Sequence, residues 1–167
     1  DAAKAVAIPA DRELLHVIPQ EYIVDDQDGI RDPVGMSGVR LEVKVHIITG
    51  AVTSIQNIVK SVNGVGLEVD DIVFNGLASA LALLSSDQKE LGSLVIDIGG
   101  GTTEYSVYTN GIIKHTGVLA IGGDHVSNDL AYGLKVPLSR AEKLKIEHGP
   151  AIVDESVKGQ ILTLNSD

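Results

Sequence analysis

Apolar and polar positions alternate most cleanly over residues 39–48. Val39, Leu41, Val43, Val45 and Ile47 fall on one side, and Arg40, Glu42, Lys44 and His46 on the other. A period of two over that length predicts a half-buried strand. After Gly50 the period changes. Val52, Ile55, Ile58, Val59 and Val62 are spaced as one face of a helix, which Gly64 and Gly66 close. A strand is predicted over Val69–Phe74 and a short apolar helix over Leu77–Leu84. The polar stretch Ser85–Gly92 reads as exposed, and Leu94–Ile98 as a continuous buried strand. Asn110-Gly111 is a type I′ turn signal between the runs Glu104–Thr109 and Ile112–Ala120, so a hairpin is predicted there. Gly122-Gly123-Asp124 opens a helix that runs to about Tyr132. Ser139 is a plausible N-cap for a helix over Arg140–Glu147, with Glu142 completing a capping box.

The first part of the chain is less regular. Residues 1–6 read as the tail of a helix. Glu13–Ile18 and Glu21–Val24 are β-prone runs broken by Pro19. An acidic loop, Asp25–Gly29, and a turn-rich stretch, Arg31–Gly38, follow. The final residues, Ala151–Asp167, alternate weakly. Strands interleaved with helices and hairpins predict an α/β protein with mixed sheets, with a boundary near residue 92.

Composition narrows the function classes. Of the 167 residues, 44% are hydrophobic, enough for a core and too many for a wholly disordered chain. The formal charge is −10, from 13 Lys and Arg against 23 Asp and Glu. Phosphate backbones reward the opposite sign, so non-specific nucleic-acid binding is a poor fit. The chain has no Cys, which excludes disulfides and thiolate metal sites. Aromatic residues are only 3%, so the core is built from aliphatic side chains. No apolar run approaches the ~20 residues that span a bilayer, and no leader pattern opens the sequence.

The chemistry concentrates in Asp97-Ile98-Gly99-Gly100-Gly101-Thr102-Thr103. A strand delivers a carboxylate to its end, then three glycines, then two hydroxyls. Without Cβ atoms, successive N–H groups can face one concavity and cradle phosphate oxygens. Asp97 is placed to hold a divalent cation through water. The pattern is not a Walker loop, because no Lys follows and a hairpin rather than a helix comes next. A flexible glycine corner is the plain alternative. Other candidates are weaker. His16, His46, His115, His125 and His148 lack paired ligand spacing. Ser127 and Ser139 have no supporting His and Asp. Asp25–Asp28 lacks the distal Glu of a calcium loop.

The order of these segments, followed by Ala141-Glu142-Lys143-Leu144-Lys145, resembles the actin-like ATPase superfamily. The resemblance implies that Gly99, Gly100, Gly101, Thr102 and Thr103 form the second phosphate-binding loop, with Asp97 near Mg2+. It places Gly122 and Gly123 on the phosphate side, and Glu142 and Lys145 by the ribose or base of ATP. His16–Tyr22, with its Pro-Gln-Glu-Tyr, Asp32-Pro33-Val34-Gly35-Met36-Ser37-Gly38 and Asn75-Gly76-Leu77-Ala78-Ser79 are similar to the bacterial cell-division FtsA family over about residues 1–150.

The implied fold is an incomplete α/β actin-like (ribonuclease H-like) fold. Residues 1–42 would belong to the inserted 1C subdomain and 43–92 to the first lobe (1A) and its connection. Residues 93–138 would carry the second-lobe (2A) phosphate-binding hairpin, and 139–167 would begin the outer subdomain (2B). The implied function is a scaffold that binds ATP, polymerises and links FtsZ to the inner membrane at the division septum. Later division proteins would dock through 1C. The membrane would be reached only through a C-terminal helix not in this sequence, so the expectation is a soluble central piece of a longer protein. Brisk ATPases of the superfamily place Glu or Gln before the helix matching Leu77–Leu84. Asn75-Gly76 stands at that place, so slow hydrolysis at most is expected. A kinase or true ATPase of the same superfamily is the enzyme alternative, and an interaction module with a vestigial cleft is a third reading.

Overall fold

The computed structural model describes residues 6–152 together with 159, 161 and 163. The readings for residues 1–5 and for most of the final segment lie outside the described residues. Two compact units are present. The first runs up to Ile98 and resumes over Thr103–Leu119; the second comprises Gly99–Thr102 and the chain from Ala120.

The first unit opens with β1 (Arg12–Val24), β2 (Gln27–Ile30) and β3 (Leu41–Ala51), an antiparallel sheet in the order β2-β1-β3. Pro19 does not break β1. The register shifts between Pro19 and Glu21, and such a bulge accommodates a residue with no N–H to donate. The acidic stretch is a tight turn rather than a loop. Asp25 and Asp26 take φ of 45° and 69°, and β2 follows at once. The alternating segment forms β3, although Val39, Leu41 and Val43 remain exposed and burial begins only at Val45.

The helix α1 (Val52–Asn63) follows as the spacing predicts, and Ile55 is its buried residue. Residues 69–74 are not a strand. A strand needs ladder hydrogen bonds to a neighbour, and this segment makes none among the described residues. Its end is held instead by Phe74 N–H, which donates to His16 Nε2 at 3.1 Å. The short helix α2 (Asn75–Leu83) comes next. The polar stretch then holds a further helix, α3 (Ser86–Leu91), set by a capping box. Ser85 Oγ accepts from Gln88 N–H, and Gln88 Oε1 accepts from Ser85 N–H.

β4 (Ser93–Ile98), β5 (Thr103–Thr109) and β6 (Ile112–Leu119) form an antiparallel meander. Helix α2 covers one face of it. Ala80, Val95, Tyr108 and Ile113 are buried there, with Ile18, Leu77 and Leu84 packed around them. A fully buried aliphatic side chain contributes about 1.5–3 kcal/mol, so this cluster anchors the unit. The reading of Leu94–Ile98 as buried throughout does not hold. Val95 is buried, whereas Leu94, Ile96 and Ile98 are 55–72% exposed, because they point to the face that α2 does not cover.

The second unit packs α4 (Gly123–Leu134) against α5 (Leu138–His148). Ser139 does not cap α5. The helix starts one residue before it, and the Pro137 carbonyl accepts from the N–H groups of Arg140 and Ala141. Proline suits this position because its fixed φ leads into a helix and it has no N–H to lose. Among the described residues no helix is long and apolar enough to cross a membrane.

Candidate functional site

The glycine loop is built by its carbonyls. Gly99 N–H donates to the Thr102 carbonyl at 2.8 Å, which turns the chain back after β4. The Gly99 carbonyl accepts from Gly123 N–H at 2.9 Å, and the Gly100 carbonyl accepts from Asp124 N–H at 2.8 Å. The first amides of a helix have no partner of their own, and here the loop satisfies two of those of α4. In a trans peptide the C=O and the following N–H point in opposite directions, and there is no cis bond among the described residues. Anchoring these two carbonyls on α4 therefore turns the amides of Gly100 and Gly101 to the opposite side. Neither amide makes a hydrogen bond among the described residues, and Gly99 to Thr102 are exposed. Two adjacent unpaired amides on an exposed loop are the donor arrangement that an anion nest uses. Thr102 and Thr103 both take part in interactions within the chain, and Thr103 begins β5.

Gly122 and Gly123 meet the loop at close range. Gly122 N–H donates to His125 Nδ1 at 3.1 Å. A Cβ on Gly122 would stand 2.4 Å from the Gly100 oxygen and 2.5 Å from the Gly99 oxygen. Gly122 thus lets the loop seat on α4, whereas a Cβ on Gly123 would make only ordinary contacts; the amides of both are engaged inside the unit. Asp124, which sequence reading used only to open the helix, borders the loop. Its carboxylate lies 3.1 Å from where a Gly100 Cβ would be.

Glu142 and Lys145 share a face of α5 and pair at 2.7 Å. They do not form a free-standing surface bridge. Lys145 Nζ donates to the Gly123 carbonyl at 3.0 Å, and Glu142 Oε2 accepts from the buried Ser127 Oγ. The Lys145 hydrogen bond, followed by that of Ser127, holds the Glu142 carboxyl below its ordinary value. Ser127, weighed in the sequence only as a nucleophile, is thus a link between α4 and α5.

In the first unit, Asp97 is the penultimate residue of β4 and is half-buried. Its Oδ2 accepts from Ser79 Oγ of α2 at 2.6 Å. The sequence offered Ser79 only within the Asn75–Ser79 resemblance and not as a partner of Asp97, because α2 and β4 are brought together only by the fold. Among the described residues no group of three or more His, Asp or Glu side chains could hold a metal by itself.

The geometry has parallels among known proteins. A model described as the SHS2 domain inserted in FTSA matches residues 1–49, and one described as cell division protein FtsA matches residues 94–167. The chain is 51% identical to cell division protein FtsA of Pseudomonas aeruginosa over 166 residues, which is 99% of this chain and 40% of that protein. It is 48% identical to the FtsA proteins of Neisseria meningitidis and Escherichia coli, covering 97% and 93% of this chain and 39% and 38% of theirs. The chain therefore spans about two-fifths of the length of these relatives. Among solved structures, the PilM-PilN type IV pilus biogenesis complex superposes with a TM-score of 0.66 at 18% identity, covering 89% of this chain and 41% of that one. The ethanolamine utilization protein EutJ from Carboxydothermus hydrogenoformans gives 0.50 at 33% identity, covering 59% and 35%. These likenesses make the fold a partial actin-like ATPase fold. By sequence, the chain belongs to the FtsA family of cell-division proteins.

Proposed function

We propose that this chain carries the glycine-loop side of an ATP site in a nucleotide-regulated division scaffold. One observation supports the reading above others: the Gly100 and Gly101 amides are unpaired and turned away from α4, which holds the loop by its carbonyls. Phosphate oxygens are the ligand that such amides suit. In this reading Gly99, Thr102 and Thr103 shape the loop, and Gly122 and Gly123 seat it. Glu142 and Lys145 are pre-oriented by their mutual pair for the ribose or base. Asp97 would hold Mg2+ through water; when bound, the cation neutralises phosphate charge.

The work of the protein is then binding. Nucleotide biases lobe closure and, through it, end-to-end contacts between copies in a filament. The scaffold would link FtsZ to the inner membrane at the septum and would receive later division proteins on 1C. The segment assignments are 1–42 to 1C, 43–92 to the first lobe, 93–138 to 2A and 139–167 to the start of 2B. Asn75 opens α2 and is not a base, so hydrolysis is slow at most.

Gly101→Val tests the nucleotide reading cleanly. A Cβ at Gly101 meets no atom within 4 Å, so the fold accepts it, but it fills the space before the free amides. In the complete gene product, calorimetric titration with Mg-ATP should weaken by about tenfold or more, the loss expected for a charge-assisted contact. Unchanged affinity would sink the proposal.

A further inference from the structure

We infer that Asp124 is a specificity-determining residue of the glycine loop: its carboxylate penalises bare polyphosphate, so the loop favours phosphate whose charge a divalent cation has already neutralised. The inference rests on the ATP reading above and deepens it, and every residue it uses lies in the second unit. Asp124 N–H donates to the Gly100 carbonyl at 2.8 Å, which fixes the Asp124 backbone against the loop. Its carboxylate atoms stand 3.1–3.4 Å from where a Gly100 Cβ would be. An amide nitrogen is about 2.5 Å from the Cβ position of its own residue, so the Gly100 nitrogen and the carboxylate are at most about 6 Å apart. A phosphate oxygen accepting from that amide adds about 3 Å. Whatever direction the oxygen takes, it stays within about 9 Å of a full negative charge, inside the ~10 Å over which charges interact in 0.1 M salt.

The chain does not cancel that charge. The Asp124 carboxylate makes no hydrogen bond or ion pair among the described residues. Lys145 Nζ approaches the same end of α4, 3.5 Å from where a Gly123 Cβ would be, but it is committed to the Gly123 carbonyl and to Glu142. A carboxylate in the first turn of a helix has a plain use, since it answers the partial positive charge of the N-terminus. That use accounts for an acid in the turn and not for its place beside Gly100. Amides attract an anion with partial charges, whereas a carboxylate repels it with a whole one. A phosphate carrying about two charges at that range loses about fivefold in affinity in water-like surroundings at low salt. Phosphate already carrying a divalent cation escapes most of this loss.

The test measures the affinity of the complete gene product for a fluorescent ATP analogue at low salt, once with EDTA and once with Mg2+. With EDTA, Asp124→Asn should bind about fivefold more tightly than wild type, and half-molar NaCl should cut that gain to less than about twofold. With Mg2+ at low salt the gain should fall to about twofold. Asp124→Glu, which keeps the charge, should show no gain. Asp124→Ser, neutral and small, takes the place of asparagine if that variant fails to fold. The inference is overturned if Asp124→Asn leaves the EDTA affinity unchanged and moves only the thermal midpoint, the result that a helix-end role alone would give. A gain as large with Mg2+ as with EDTA overturns it, and so does a gain in Asp124→Glu. A gain that survives half-molar salt overturns it too, because it marks a new hydrogen bond from the asparagine amide rather than a lost repulsion. If wild type and Asp124→Asn bind no ATP in either buffer, the nucleotide reading falls and this inference with it. If wild type binds Mg-ATP and Asp124→Asn shows no gain with EDTA, only the inference falls.

Discussion

Two glycine-bearing turns flank β5, one at each end, and they keep their glycines for different reasons. At the far end Asn110 and Gly111 take φ of 53° and 72°, the left-handed pair that a type I′ hairpin needs. At the near end none of Gly99, Gly100 and Gly101 has a left-handed φ. Their backbone is one that any residue can adopt, so conformation does not explain three glycines in a row. Space does, in part. A Cβ on Gly99 would lie 3.2 Å from the Thr102 carbonyl oxygen, and one on Gly100 would meet the Asp124 carboxylate. Only Gly101 has neither reason. A glycine with no conformational or packing demand is the one whose absent side chain leaves room for something not in the chain.

The comparison is broken most severely at the loop's seat. Gly122→Ala places a Cβ within 2.5 Å of two backbone oxygens, and backbone cannot yield as a flexible side chain does. We expect a loss of about 3 kcal/mol, read from urea denaturation, near the upper end for overpacking. A loss below about 1 kcal/mol would show that the loop does not sit on α4 as described. Gly111→Ala comes next. It forces a left-handed alanine, which costs about 1–2 kcal/mol, and it should leave Mg-ATP affinity unchanged. A binding defect in that variant would remove the distinction between the two turns.

Much of this contrast was legible in the sequence, and the exceptions have physical causes. Asn110-Gly111 specified its turn because the signal is local. The alternation in β3 and the spacing in α1 were legible for the same reason. Residues 69–74 carry a strand's composition but no strand's hydrogen bonds, since pairing is not a local property. Helix α3 was hidden by polarity, although its capping residues Ser85 and Gln88 stood in plain view. At the site, the sequence pointed to Asp97 and the glycines. It could not point to Ser79 or Ser127, because each matters only through a partner 18 or 15 residues away. Nor could it tell that the amides of Gly122 and Gly123 would be used within the unit.

Gly101→Ala sharpens the comparison with two readouts of opposite sign. The φ there is compatible with alanine and the Cβ meets nothing. Replacing glycine at such a position stabilises by about 0.4–1 kcal/mol, because the unfolded chain loses freedom. The same methyl narrows the space before the two free amides, so Mg-ATP affinity should fall. A variant that is more stable and binds less well would separate ligand space from folding at a single atom. A variant that is less stable would mean that the loop is packed on that side after all.

The smallest effect is expected from acid, and it concerns the network that holds α5 to the seat of the loop. Glu142 is kept below its ordinary value of 4.5, first by the Lys145 hydrogen bond and then by that of Ser127. A carboxylate whose folded pKa is depressed contributes stability that is fully present above the unfolded value. That contribution is lost as the pH falls through the folded value. The thermal midpoint of Glu142→Gln should therefore lie below wild type at neutral pH, with the two converging as pH drops beneath about 4.5. The pair is partly exposed, with Glu142 at 40% and Lys145 at 22%. Salt should shrink the neutral-pH gap, and half-molar NaCl is enough to test this. Glu21 and Glu90 are also depressed, by Lys44 and Arg31, so the wild-type curve alone would mix these acids with Glu142. Only the difference between wild type and Glu142→Gln isolates the second unit. If that difference does not change between pH 7 and pH 3, the Glu142–Lys145 pair contributes no charge-dependent stability, and Lys145 holds the Gly123 carbonyl without its help.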